Sequence, residues 1–181
     1  MKYKILALFG PSGAGKDTIQ KWYAEHADIN EIVSATTRPP REYEQDSVDY
    51  HFLSDSEFTD KVLNGDMLEA TSFREWYYGT PIDSLKADKV NVGVFNIQGI
   101  EILLEDERVQ VLPVLVHASD KARVIRCLTR EAYPDVYEVC RRFMKDTEDF
   151  SNIPFRYEFY NNEYDINERE LESFLDDLKQ D

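Results

Sequence analysis

The chain lacks any stretch near the ~18 apolar residues that a bilayer-crossing helix needs, which excludes a helical membrane span. Its opening run, Met1 to Phe9, is too brief for a signal peptide and has no small-residue cleavage site. It leads into a glycine-bearing segment, so a buried strand is expected there. Cysteine is scarce. Cys127 and Cys140 have neither metal-ligand spacing nor the numbers for a disulfide framework. A reducing, cytoplasmic setting fits, with both thiols as buried or helix-surface passengers. Positive charge is also short: Lys and Arg total 21 against 36 Asp and Glu, a formal net charge of −15. Such a field repels nucleic acid and anionic lipid, so neither is expected as a partner. It leaves room for small anions held in a local basic pocket. Internal repeats and low-complexity tracts are absent. Glycine is sparse, with 7 in 181 residues, yet Gly10, Gly13 and Gly15 fall together.

What is present describes one folded domain over 1–181. Hydrophobic residues make up 42% of the chain, with 11 Tyr and 10 Phe. Apolar runs at 3–9, 31–34, 90–97, 109–117 and 155–160 read as strands. Helices are expected at 18–27, near 99–107, from Ser119 to about Arg130, from Asp135 to about Phe150, and at 167–179. This alternation predicts an α/β fold of three layers, a parallel sheet with helices on both faces. The block from about 34 to 80 breaks the rhythm. It carries Pro39-Pro40, a capping box of Ser54 with Glu57 that opens a helix at 55–64, and short aromatic strands at 66–80. It is read as a subdomain inserted into a core of 1–33 and 81–181.

The strongest local signal is Gly10-Pro11-Ser12-Gly13-Ala14-Gly15-Lys16-Asp17-Thr18, between an apolar strand and a helix. Glycines let successive backbone N–H groups turn around phosphate oxygens, and the following helix points its positive end at the same place. Lys16 then reaches the outer phosphates of a nucleotide such as ATP. The alternative, a tight strand-to-helix turn with no ligand, is disfavoured by that context. Asp17 stands where this motif usually has Ser or Thr. A carboxylate is a hard-cation ligand, so Asp17 is the candidate for Mg2+.

A second constellation runs Ser34-Ala35-Thr36-Thr37-Arg38-Pro39-Pro40-Arg41-Glu42-Tyr43-Glu44 and Val48-Asp49-Tyr50-His51-Phe52. Two arginines three apart, with prolines stiffening the chain between, form a fork for a phosphate. Ser34, Tyr50 and Tyr78 can add hydroxyl donors. The plainer reading is that Arg38 and Arg41 pair with Glu42, Glu44 and Asp46.

These pieces together closely resemble the guanylate kinases: GPSGAGK at 10–16, SATTRPPR at 34–41, VDYHF at 48–52, Glu69, and YYGT at 77–80. The resemblance runs from the first strand to the terminal helix. It implies a P-loop nucleoside monophosphate kinase that uses ATP and Mg2+ on small nucleotides, as a monomer or homodimer. By the same resemblance, Ser34, Arg38, Arg41, Glu44, Tyr50 and Tyr78 grip the acceptor. Glu69 accepts from guanine N1–H and the 2-amino group, and Thr80 bonds the base edge. Arg130 and Arg142 belong to a helical lid at about 126–142, with Arg126 and Arg141 read as a solvated face. Asn161 lies near the adenine. Lys16, Arg38, Arg130 and Arg142 are the expected catalytic set.

The resemblance departs on the third strand. Val94 and Asn96 stand where the family has two aspartates, and Asn96 is carried as an acceptor-side residue. A lysine-aspartate pair in the loop also resembles ribose 1,5-bisphosphate phosphokinases and viral deoxynucleotide kinases. Three readings follow: a GMP or dGMP kinase, a kinase of the same fold with another phosphorylated acceptor, and an inactive module that grips a phosphopeptide.

Overall fold

In the computed structural model, the described residues are 2–42, 44–73, 75–130, 132–150, 156–161 and 166–180. Strand β1, Tyr3–Phe9, is buried on both faces and forms the centre of the fold. Leu6 and Leu8 point into one apolar cluster, while Ile5, Ala7 and Phe9 point into another. This two-sided burial explains why the strand reads as a continuous apolar run and not as an alternation. Helices α1 (Lys16–His26) and α6 (Glu168–Gln180) cover the first face, through Ile19, Trp22, Tyr23, Leu171, Phe174 and Leu178. Helix α3 (Ile97–Glu105) covers the second with Ile100 and Leu103.

The central sheet has five strands in the order β2-β7-β1-β8-β9. They span Ile29–Glu31, Val90–Val94, Tyr3–Phe9, Val109–His117 and Tyr157–Tyr160. Every pairing is parallel. Two expected boundaries move. Strand β2 lies two residues upstream of 31–34, because after Ile32 the chain leaves this sheet to enter a second one. Strand β7 stops at Val94, because Asn96 turns the chain and caps α3. Of the strand expected at 155–160, Phe155 lies outside the described residues.

The second sheet has four strands in the order β4-β3-β6-β5. They are His51–Phe52, Ala35–Thr36, Trp76–Pro81 and Met67–Phe73. It lies within the block that breaks the βα rhythm. Helix α2, Asp55–Leu63, opens on the Ser54–Glu57 capping box and buries Phe58 against this sheet. Two further helices, α4 (Asp120–Thr129) and α5 (Val136–Asp149), follow β8. Among the described residues no helix is long and apolar enough to cross a membrane.

Candidate active site

The segment after β1 is shaped by its glycines. Gly13 has φ +76°, and a Cβ there would lie 2.6 Å from the Arg123 carbonyl oxygen. A side chain is thus excluded by both backbone and space. Gly15 closes the loop in the left-handed region and serves as N-cap of α1. The outward carbonyls of the loop are all held. Arg123 Nε donates to Ser12 O at 3.0 Å, Arg126 Nη1 to Gly13 O at 3.1 Å, and Asn161 Nδ2 to Ala14 O at 2.7 Å. A trans peptide points its C=O and N–H in opposite directions. Anchoring these carbonyls therefore aims the N–H groups of Gly13 and Gly15 into the concavity, where an anion fits. Lys16 is half-buried there, and its Nζ donates to Gly10 O at 2.8 Å and Pro11 O at 3.1 Å. Burial pushes its pKa down, with Asp17 and Asp146 pulling the other way. Asp17 and Thr18 are exposed on the first turn of α1.

The second sheet brings the acceptor candidates together. Glu44 is the hub of the arginine fork. Its Oε1 accepts from Arg38 Nη2 at 2.8 Å and Arg41 Nη1 at 3.1 Å, and its Oε2 accepts from the Arg41 N–H at 2.7 Å. The plainer reading of an ion pair is thus met through Glu44, one carboxylate shared between the two arginines. Thr36 Oγ1 accepts the Arg38 N–H at 3.1 Å and donates to Tyr77 O at 2.9 Å, tying the fork to β6. The Arg38 guanidinium lies 5.5 Å from the Tyr50 ring, and Tyr50 meets Tyr78 edge-on at 6.3 Å. Burial, with Asp17 and Tyr78 nearby, pushes the Tyr50 phenol up to about 12, so it remains a hydrogen-bond donor. Ser34 is half-buried at the entry to β3.

Glu69 and Thr80 face each other on β5 and β6, both buried. Thr80 Oγ1 donates to Glu69 Oε1 at 2.8 Å. The other oxygen, Oε2, lies over the first turn of α3, where a Cβ on Gly99 would sit 3.3 Å away. Burial raises the Glu69 carboxyl to about 7, against the lowering pull of Thr80. Asn96 is committed nearby: its Oδ1 accepts the Gly99 N–H at 2.7 Å, and its Nδ2 donates to Thr71 Oγ1 at 2.8 Å. Thr71, buried on the same face of β5 as Glu69, belongs to this polar pocket and was not expected from the sequence.

Helices α4 and α5 bring basic groups towards the loop. Arg142 is half-buried and donates from Nε to Glu138 Oε1 at 2.6 Å. Desolvation lowers its pKa first, and the Arg41 charge next. Arg142 therefore stands within electrostatic reach of the acceptor fork. Arg130 is exposed at the C-terminal end of α4. Arg141 pairs with Glu138 along its own helix. Arg126 corrects the sequence reading: it is not on a solvated face but holds the loop carbonyls of Gly13 and Ala14.

A family model described as Guanylate kinase matches residues 2–178. The chain belongs to the guanylate kinase family. It is 34% identical over 165 residues to the guanylate kinase of Malacoplasma penetrans (strain HF-2), covering 86% of this chain and 76% of that one. Against the guanylate kinase of Onion yellows phytoplasma (strain OY-M) the identity is 44% over 105 residues, covering 57% and 46%. That match spans less than half of the relative. The crystal structure of guanylate kinase from Anaplasma phagocytophilum aligns with a TM-score of 0.69 at 24% identity, covering 99% of this chain and 86% of that one. At that identity it speaks to the fold.

Two residues that this guanylate kinase family member places on its loop escaped the sequence reading, Arg123 and Asp146. Asp146 Oδ2 accepts the Ser12 N–H at 2.8 Å and pairs with Arg123 Nη2 at 2.8 Å. A signal for Arg123 existed. Ser119, Ala122, Arg123 and Arg126 follow the i, i+3, i+4, i+7 spacing of one helix face, the face that βα packing turns inwards. Nothing local marks Asp146, whose partners are 23 and 134 residues away.

Proposed function

We propose that this guanylate kinase family member transfers the terminal phosphoryl group of ATP to the phosphate of GMP or dGMP, giving the diphosphate. The observation that carries this reading is the buried Glu69–Thr80 pair on the sheet that also carries the Arg38–Arg41 fork. Guanine offers two adjacent donors, N1–H and the 2-amino group, which suit one carboxylate. Adenine has no such pair and would leave Glu69 partly unsatisfied, with Thr80 as its donor.

The ATP phosphates enter the concavity of Gly10, Ser12, Gly13, Ala14 and Gly15. Lys16 turns from the loop carbonyls to the phosphate oxygens, with Asp17 and Thr18 at the helix end. Arg38 and Arg41 align the acceptor phosphate, Ser34, Tyr50 and Tyr78 add hydroxyl donors, and Glu44 and Asn96 fix the surrounding frame. Arg130 and Arg142, on a helical lid at about 126–142, neutralise charge on the transferring group. Asn161 buttresses the loop on the adenine side. No covalent intermediate is needed, because positioning and charge neutralisation carry phosphoryl transfer. Among the described residues no cluster of three His, Cys, Asp or Glu can hold a metal. A single hard carboxylate beside a phosphate loop nevertheless suits Mg2+, whose other ligands are phosphates and water. Asp17 would hold it, and the ion supplies further charge neutralisation when bound. The acidic chain works on small nucleotides in the cytoplasm without nucleic acid, as a monomer or homodimer.

ADP release is the test, with ATP and Mg2+ against GMP, dGMP, AMP, CMP, dTMP and ribose 1,5-bisphosphate. Turnover with GMP or dGMP alone is expected, falling by about 10²-fold or more in Lys16→Ala. Turnover only with another acceptor would remove the roles given to Glu69 and Thr80. Silence across the panel would refute catalysis.

A further inference from the structure

The peptides of Ser12 are held on both sides by one ion pair. Asp146 accepts the Ser12 N–H, Arg123 donates to the Ser12 carbonyl, and the two side chains pair at 2.8 Å. Both are largely buried, with side-chain exposures of 7% for Arg123 and 14% for Asp146. The Arg123 guanidinium also lies 4.2 Å from the centre of the Phe143 ring on α5, and its Nη1 pairs with Asp120 at 3.1 Å. The unit therefore joins three pieces of chain: the phosphate loop, α4 and α5. Its acidic member is one helical turn past Arg142 on α5, so the two share a stripe of that helix.

We propose that Arg123 and Asp146 are positioning residues for phosphoryl transfer, a clamp that couples the lid helix α5 to the phosphate loop. The clamp does two things. Holding the Ser12 carbonyl outwards keeps the Gly13 N–H aimed at the phosphates. Anchoring Asp146 to the loop fixes the height and rotation of α5, and thereby where Arg142 meets the transferring group. Neither residue touches substrate. An arginine suits the first position because its rigid planar fork holds a carbonyl and a carboxylate in fixed directions at once, where a lysine ammonium is a point charge on a flexible stem. The ion pair is costly to bury, and removing Arg123 leaves the Asp146 carboxylate without its ion-pair partner. A loop fixed only by its glycines has no such link to the lid.

The inference rests on the kinase reading given above, and one experiment separates the two. Steady-state kinetics of Arg123→Met and of the isosteric Asp146→Asn are measured in the wild-type and the Arg142→Ala backgrounds. A fall in kcat of about 10- to 100-fold is expected in the wild-type background, the size that follows a misplacement of about 1 Å. The KM for GMP should change by less than kcat does, since the acceptor fork is on another sheet and feels the clamp only through Arg142. In the Arg142→Ala background the same substitutions should cost at least about threefold less than in the wild type, because one of the two groups they position is gone and only the contribution through the loop remains. Equal fold-losses in both backgrounds, or kcat within about twofold of the parent, would overturn the clamp. Should Arg123→Met not fold, Asp146→Asn supplies the same comparison. ADP affinity by calorimetry is independent of the acceptor. It should weaken about fivefold or more in Asp146→Asn even if the wild type turns over no GMP, and unchanged affinity would refute the clamp on its own.

Discussion

Burying a carboxylate is unfavourable unless something compensates, and Glu69 shows the balance at the scale of one residue. Thr80 supplies one hydrogen bond and the first turn of α3 lies beneath the other oxygen, yet burial still holds the group at about 7. In the folded, ligand-free protein the neutral form is therefore favoured relative to the unfolded chain, where Glu titrates near 4.3. The sign follows: between those values the folded state binds more protons, so stability falls as pH rises from about 4.5 to about 7 and is flat above. Glu69→Gln should remove that slope and stabilise the unliganded protein at pH 8 by about 1–3 kcal/mol, read from denaturant melts. Binding asks for the opposite form, since the guanine donors need the carboxylate. GMP affinity should weaken about tenfold per pH unit below about 7, beyond the titration of the GMP phosphate itself. In Glu69→Gln only the phosphate titration should remain, with GMP affinity down by about 10²-fold. A wild-type pH profile that matches the variant's would exclude Glu69 as the base-reading group. Residues of this kind are legible because their motif is contiguous: Lys16, Arg38 and Thr80 each stand in a short recognisable string. Arg123 and Asp146 resemble ordinary helical surface charges until the fold brings them to Ser12.

At the scale of elements, local rules decide where the second sheet receives its support. Ser54 Oγ accepts the Glu57 N–H at 3.3 Å, while Glu57 Oε2 accepts the Ser54 N–H at 2.8 Å. Both ends of the capping box close, as the spacing predicts. Helix α2 presses Phe58 on the Tyr77 ring, centroids 5.6 Å apart, beneath the strand that carries Tyr78 and Thr80. Ser54→Ala should cost about 1 kcal/mol and lower the melting temperature by about 2–4 °C, with kcat unchanged within about twofold. A larger loss of kcat would mean that α2 contributes to the chemistry and not only to support. Capping and period are local, so α2 was legible from residues 54–64. Strand β2 was not, since its end is set where Ile32 leaves one sheet and Ala35 joins the other. Strand β3 is two residues long and pairs with β4 and β6, far along the chain, so no window of sequence reveals it.

For the whole molecule, the question is how a chain of net charge −15 attracts two polyanions. Its cations are concentrated: Lys16, Arg38, Arg41, Arg126, Arg130 and Arg142 are carried on the loop, the acceptor sheet and the helices beside them. Such a local group of cations attracts anions although Glu44 and Glu138 lie among them and the global charge is opposite. Grouping cations has a cost without ligands: the pKa of Arg142 is lowered by desolvation first and by the Arg41 charge next. A phosphate placed on the Arg38–Arg41 fork relieves this repulsion and makes the approach of Arg142 to ATP more favourable, and the reverse holds by linkage. Thermal melts should therefore show positive coupling. At concentrations near 100 times Kd, GMP alone or ADP alone should each add about 2.7 kcal/mol, or roughly 5–10 °C. Together they should exceed the sum by about 1–3 kcal/mol. Removing the shared charge in Arg142→Ala should reduce the two shifts to simple addition. Additive shifts in the wild type would mean that the two sites, one on each sheet, do not communicate through the arginines between them.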